Sequence, residues 1–209
     1  MSRKAANALR RAHPAMEWAV NTVMAKSGMV KLEPRDISPY EALSRAIVFQ
    51  QLSGKAAATI HGRFLEMFGG DAAPDPKRLK RATPEKLRTA GISRNKALAL
   101  KDLAAKVIDG TVPSREECDR TPDDELIARL SAVRGVGEWT AQMFLLFTLA
   151  RPDIWPVTDL GVRKGWTQAA QTGVLIPPKE LDAVGADFAP WRSYAALYLW
   201  RIADEGVAP

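Results

Sequence analysis

At 209 residues, 46% of them apolar, the chain is long enough to bury a sizeable core, as one domain or two small lobes. A single cysteine, Cys118, excludes an internal disulfide and any thiolate set for zinc or an iron–sulfur cluster, and no N-terminal apolar segment or run long enough to span a bilayer marks it for a membrane. The formal charge is +6, with 20 basic and 10 acidic side chains in residues 1 to 110 and 10 and 14 in the remainder, so the front half suits a polyanion partner or simply a soluble surface.

Extended alternation is almost absent, and helix start signals recur at Ser38-Pro39, Thr83-Pro84, Thr121-Pro122 and Pro177-Pro178. The pattern predicts an all-α, soluble, cytoplasmic protein. Helices are expected from Pro14 through Met24 and then near 40 to 52, 54 to 68, 84 to 90, 94 to 109, 122 to 132, 138 to 150, 159 to 170, 179 to 186 and 191 to 204. In the second of these, Leu43, Ile47, Val48 and Leu52 form the apolar face, and Gln50, Gln51 and Ser53 gather at the helix end. Lys77, Arg78, Lys80, Arg81, Lys86 and Arg88 make the densest basic cluster, which reads as a solvated helix face.

Asp123 to Ala132 reads as a short helix opened by Thr121 as N-cap with Pro122 at the first helical position. Gly135 and Gly137 then flank Val136 at a spacing that suits a tight turn with positive φ, and Trp139, Met143, Phe144, Leu146 and Phe147 resume helical periodicity. Such a hairpin offers backbone N–H groups and the positive end of a helix dipole to a phosphate, which holds DNA without reading its sequence. Taken alone, the two glycines also suit an ordinary helix–helix turn. Asp159 lies 22 residues beyond Gly137, after a proline-containing loop and at a helix start, where a carboxylate serves either as a cap or in chemistry. Trp139 and Trp191 are core residues or base-stacking faces, and His13 and His61 lack partners at metal-ligand spacing.

The segments Gly135-Val136-Gly137-Glu138-Trp139-Thr140-Ala141 and Trp155 to Gly165 together resemble the helix-hairpin-helix, glycine/proline-rich loop and catalytic aspartate of the base-excision DNA glycosylase superfamily. The nearest likeness is to its 3-methyladenine DNA glycosylase II family. The likeness extends to Ala46 through Ser53 with Ala56 and Ala57, to Gly91-Ile92-Ser93 with Lys96-Ala97, and to Trp191 through Ala195, so that it spans residues 43 to 201. Arg134 departs from it, standing where many members have proline.

The resemblance implies a single glycosylase domain of two helical lobes, about 38–150 and about 1–37 plus 151–209, with a DNA-binding cleft and Asp159 as the catalytic carboxylate at its mouth. It implies a base pocket of Trp139, Met143, Leu160 and Trp191, and a wedge at Gln51 or, with a one-residue shift, Leu52. Phosphate contacts fall to Gly135, Val136, Gly137, Thr140, Ser53 and Lys164, the last with Arg163. No cofactor is required, although the carbonyls of Ser131, Val133 and Val136 could hold a sodium or potassium ion. Tryptophan at 139, where bifunctional members carry a Schiff-base lysine, argues against strand cleavage. The implied protein is a monomer that flips alkylated, N3- or N7-methylated purines out of double-stranded DNA and hydrolyses them in base excision repair. A non-catalytic helix-hairpin-helix module for damaged or bent DNA is the alternative. Because Met143 and Leu160 are aliphatic where some members have aromatics, cationic 3-methyladenine and 7-methylguanine should be preferred to hypoxanthine or ethenoadenine.

Overall fold

The computed structural model describes residues 1–70 and 72–205, so the final four residues of the span assigned to the second lobe, 206–209, lie outside it. Every regular element among the described residues is helical, and none of these helices is long and apolar enough to cross a membrane. In chain order they are α1 (Ser2–Ala12), α2 (Pro14–Ser27), α3 (Pro39–Phe49), α4 (Gly54–Met67), α5 (Pro76–Arg81), α6 (Pro84–Thr89), α7 (Arg94–Ile108), α8 (Arg115–Arg120), α9 (Asp123–Ser131), α10 (Glu138–Phe147), α11 (Leu160–Ala169), α12 (Pro178–Gly185) and α13 (Arg192–Glu205), with a 3-10 turn at Ala186–Phe188.

Two of the start signals act through side-chain caps, as Ser93 also does, whereas Pro177 opens α12 with no side-chain cap. Ser38 accepts from the Glu41 N–H, Thr83 from Lys86 and Ser93 from Lys96, at 3.1, 3.2 and 3.4 Å, each satisfying a donor that the first turn leaves without a helical partner. Thr121 differs from its predicted role. Its hydroxyl donates to the Glu117 carbonyl at 2.8 Å at the end of α8, and Pro122 takes the N-cap place of α9. Leu52 also differs: α3 ends at Phe49, so Leu52 leaves the apolar face and is 38% exposed.

The chain divides into two compact units, Asp36–Phe144 and Met1–Arg35 with Leu145–Pro209. The division falls at 35/36 and inside α10 at 144/145, against bounds of about 38 and about 150 expected from the resemblance. In the Asp36–Phe144 unit α7 is the central helix, packed by α3, α5 and α6, with Leu43, Ile47, Phe64, Leu79, Leu87, Leu100 and Leu103 fully buried. Full burial of side chains of this size contributes about 1.5–3 kcal/mol each. Cys118 packs here too, and burial pushes its thiol up to about 11, which keeps it protonated and unreactive at neutral pH.

In the other unit α13 is central, packed by α11, α2 and α1, around Met16, Val20, Val162, Tyr194, Tyr198 and Leu199. The crossing of α11 and α13 is unusually close, because a Cβ built at Gly165 would lie 2.0 Å from the Leu199 carbonyl oxygen. That crossing fixes where the N-terminus of α11, and hence Asp159, stands within the unit.

Candidate active site

Within the Asp36–Phe144 unit, α9, the Ala132–Gly137 turn and the start of α10 make a helix–hairpin–helix. Val133 and Val136, at 2% and 3% exposure, plug the turn into the core. Gly135 holds φ +76, a conformation open to glycine and strained for other residues, and a Cβ there would sit 3.4 Å from Ala99. The positive φ expected of the turn falls at Gly135, and Gly137 has an ordinary φ and open space where a Cβ would be. Nothing in the protein therefore demands glycine at 137.

Two turn amides have partners within the protein. The Val136 N–H donates to the Val133 carbonyl at 3.0 Å. The Arg134 N–H donates to the Asp102 carboxylate at 2.7 Å, which braces the turn at the position where proline would have stiffened it covalently. The first intrahelical bond of α10 runs from the Ala141 N–H to the Gly137 carbonyl, so anion-binding capacity rests on Gly137 and the first turn of α10. Gly135 and Gly137 are exposed and Thr140 is buried at 9%. Trp139 is 46% exposed, which decides against a core role, and Met143 beyond it is half-buried.

The turn is tied to the end of α3. Gln50 Nε2 donates to the Gly135 carbonyl at 2.8 Å, and Gln51, Leu52 and Ser53 follow as an exposed tip. His61, on the neighbouring α4, stacks edge-on to Phe49 at 5.8 Å.

In the other unit, Asp159 caps α11. Its Oδ1 accepts from the Val162 N–H at 2.9 Å and from the Trp200 indole N–H at 2.7 Å, and the residue is 9% exposed. Trp200 lies on α13 and stacks on Phe147, with ring centroids 5.5 Å apart. Gly161 makes the indole contact possible, since a Cβ there would come within 2.6 Å of Trp200 Cδ1 and 3.1 Å of Asp159 Oδ1. The loop ahead of Asp159 is pinned by the start of α13. Ser193 Oγ accepts from the Ile154 N–H at 2.8 Å and donates to the Arg151 carbonyl at 2.6 Å. Arg192 donates twice to the Asp153 carboxylate, from Nε at 2.8 Å and Nη2 at 2.7 Å. Leu160 is 50% exposed, and Trp191 is half-buried, edge-on to Tyr194 at 5.8 Å.

Residues 44–184 match the model of the HhH-GPD superfamily base excision DNA repair proteins. The chain belongs to this superfamily. It is 38% identical over 164 residues to DNA-3-methyladenine glycosylase 1 of Schizosaccharomyces pombe, covering 78% of this chain and 72% of that protein. Among solved structures it is similar to the S. pombe 3-methyladenine DNA glycosylase Mag1 in complex with abasic DNA, with TM-score 0.81, 32% identity and 95% of each chain covered. It is also similar to the DNA-3-methyladenine glycosidase of Bacillus halodurans, with TM-score 0.78, 33% identity and coverage of 91% and 89%.

The superfamily match begins within α3, takes in the hairpin and Asp159, and ends within α12, short of Trp191 and Trp200. Trp200 is the site residue that the sequence did not single out, because a tryptophan 41 positions after Asp159 on an apolar helix carries no spacing signal. Of the two cations beside Asp159, Arg163 is engaged by the protein, its Nε donating to the Ile176 carbonyl at 2.7 Å, and Lys164 is exposed. No group of three or more His, Cys, Asp or Glu suited to a metal ion occurs among the described residues, and His13 caps α2 instead, accepting from the Ala15 N–H at 3.1 Å.

Proposed function

We propose that the chain is a monofunctional DNA glycosylase that extrudes N3- or N7-alkylated purines from duplex DNA and hydrolyses their glycosidic bond, acting as a monomer in base excision repair. The observation that carries this is Asp159. A carboxylate nine-tenths buried and gripped at one oxygen by two N–H donors is aimed rather than merely solvated, and it sits in the matched stretch of a base-excision superfamily. A module that only binds DNA could cap α11 with a neutral asparagine or serine, and has no need of a charge that repels phosphate.

The reaction asks little of the protein at the leaving group. Alkylation leaves positive charge on the purine, so the C1′–N bond breaks with its electron pair going to the ring and neutralising it. Positive charge then develops on the sugar, which a fixed carboxylate stabilises. Water adds at C1′ and its proton passes to Asp159 or to solvent, leaving an abasic site. The exposed indole of Trp139 attracts a cationic base by about 0.5–2 kcal/mol beyond stacking. Met143, Leu160 and Trp191 are assigned to the base as well, and Gln51 or Leu52 to the gap it leaves.

Gly137, the first turn of α10, Ser53 and Lys164 are assigned to phosphates. Because a Cβ at residue 137 meets no protein atom, Gly137→Val should leave the circular dichroism spectrum and melting temperature unchanged and weaken duplex binding by about tenfold, whatever the sequence. Equal affinity of the two proteins in a titration at moderate salt would remove the hairpin from the interface. An alkali ion fits the same turn. Ser131 Oγ is buried without a partner there, and the carbonyls of Ser131, Val133 and Val136 would hold the ion, whose charge would draw a phosphate. Strand cleavage is not expected, since Trp139 has no amine to form a Schiff base.

Incubation with methylated duplex DNA and chromatography of released bases tests the reading. Release of 3-methyladenine and 7-methylguanine, faster than hypoxanthine in competing single-turnover reactions, is expected. Tight binding with no base released would favour the non-catalytic module, and faster hypoxanthine release would overturn the preference for charge.

A further inference from the structure

The exposed tip after α3 is a tight turn closed by a single long backbone bond, from the Leu52 N–H to the Phe49 carbonyl at 3.3 Å. Gln51 has φ +57, in the left-handed region that a residue with a Cβ occupies when its surroundings enforce it. Two side chains reinforce that one backbone bond. Lys96 Nζ, on the first turn of α7, donates to the carbonyls of both Val48 and Gln50 at 2.7 Å, at the C-terminal end of α3 where unpaired carbonyls and the negative helix dipole gather. Gln50 Nε2 then fastens the same residue to the Gly135 carbonyl in the hairpin turn at 2.8 Å. Lys96 is half-buried, and desolvation lowers its pKa from the ordinary lysine value, so a lysine here is held at a cost that a solvated one would not carry.

We infer that Lys96 and Gln50 are positioning residues for base extrusion, holding Gln51 in a preformed outward conformation at a set separation from the hairpin turn. A loose tip would have to be ordered as it entered the duplex, and that entropy would oppose insertion. A tip already locked to the turn enters without it. The inference rests on the reading of this chain as a glycosylase that flips its substrate. It differs from a role in stability alone, because the brace matters only while the base must be displaced from a stack.

The test compares Lys96→Met and Gln50→Leu with the wild type on two substrates, 7-methylguanine paired with cytosine in a duplex and 7-methylguanine in a single-nucleotide bulge, where little stacking opposes extrusion. Single-turnover release from the paired duplex should slow by about tenfold in each variant, while release from the bulge stays within about twofold of the wild type. Equal losses on both substrates, or no loss on the paired duplex, would overturn the inference. If Lys96→Met does not fold, Gln50→Leu, which leaves the lysine contacts intact, decides the matter. Fluorescence of 2-aminopurine beside an abasic site reads tip insertion without catalysis, and the variants should give a smaller rise than the wild type. Wild-type protein that inserts but releases no base would sink the glycosylase reading and leave the brace standing, whereas an equal rise in all three proteins would sink the brace.

Discussion

Asp159→Asn is expected to lower single-turnover excision of 7-methylguanine by about a hundredfold or more while changing affinity for an abasic duplex by less than about threefold. The geometry makes this substitution unusually clean. Both the Val162 N–H and the Trp200 indole N–H donate to the same oxygen, Oδ1, and an asparagine carbonyl in that place accepts both. Asparagine is as good an N-cap as aspartate, so α11 should keep its start and the melting temperature should hold. What is lost is the negative charge, and with it the attraction for a sugar that becomes cationic as the base leaves. An excision rate within about threefold of the wild type would remove Asp159 from the chemistry.

The parts of this arrangement that the sequence made legible are those with local causes. Proline at the first helical position and a capping hydroxyl three residues before the bonded amide foretold α3 and α6, and the Gly135-Val136-Gly137 interruption foretold the hairpin, because each signal acts within one turn of chain. Asp159 at a helix start was legible for the same reason. Helices α1 and α8 were not expected, and α5 was legible only as the helix face of the basic cluster; α5 and α8 have six residues each, too few for a periodic apolar face, although Asp75 and Ser114 cap them as Thr83 caps α6. Thr121 misled because the same residue type that caps a helix start also donates back to a carbonyl at a helix end, and the spacing does not distinguish them. The contacts that span the sequence were invisible altogether. Trp200 on Asp159, Asp102 on the Arg134 N–H, and Lys96 on the α3 carbonyls join residues 41, 32 and 46 to 48 positions apart, and only the packing of whole helices brings them together.

Gly165→Ala is expected to be the most destabilising single-methyl change in the α11–α13 pair, lowering stability by about 3 kcal/mol or more and the melting temperature by roughly 6–12 °C. The new Cβ would stand 2.0 Å from the Leu199 carbonyl oxygen and 2.6 Å from its carbon. Both are backbone atoms, so no side-chain rotation relieves the overlap and the two helices must separate. Alanine is otherwise the better helix former, by about 0.8–1.0 kcal/mol, which sets the sign that would appear if the crossing were not tight. The effect should reach the chemistry as well. Gly161, one turn earlier on the same face, lets the Trp200 indole approach Asp159, and a spread at Gly165 draws α13 and its indole away from the carboxylate. Folded Gly165→Ala at low temperature should therefore bind abasic DNA nearly as well as the wild type yet excise more slowly, with Gly137→Val showing the reverse pattern. A melting temperature equal to or above that of the wild type would refute the close crossing on which the placement of Trp200 depends.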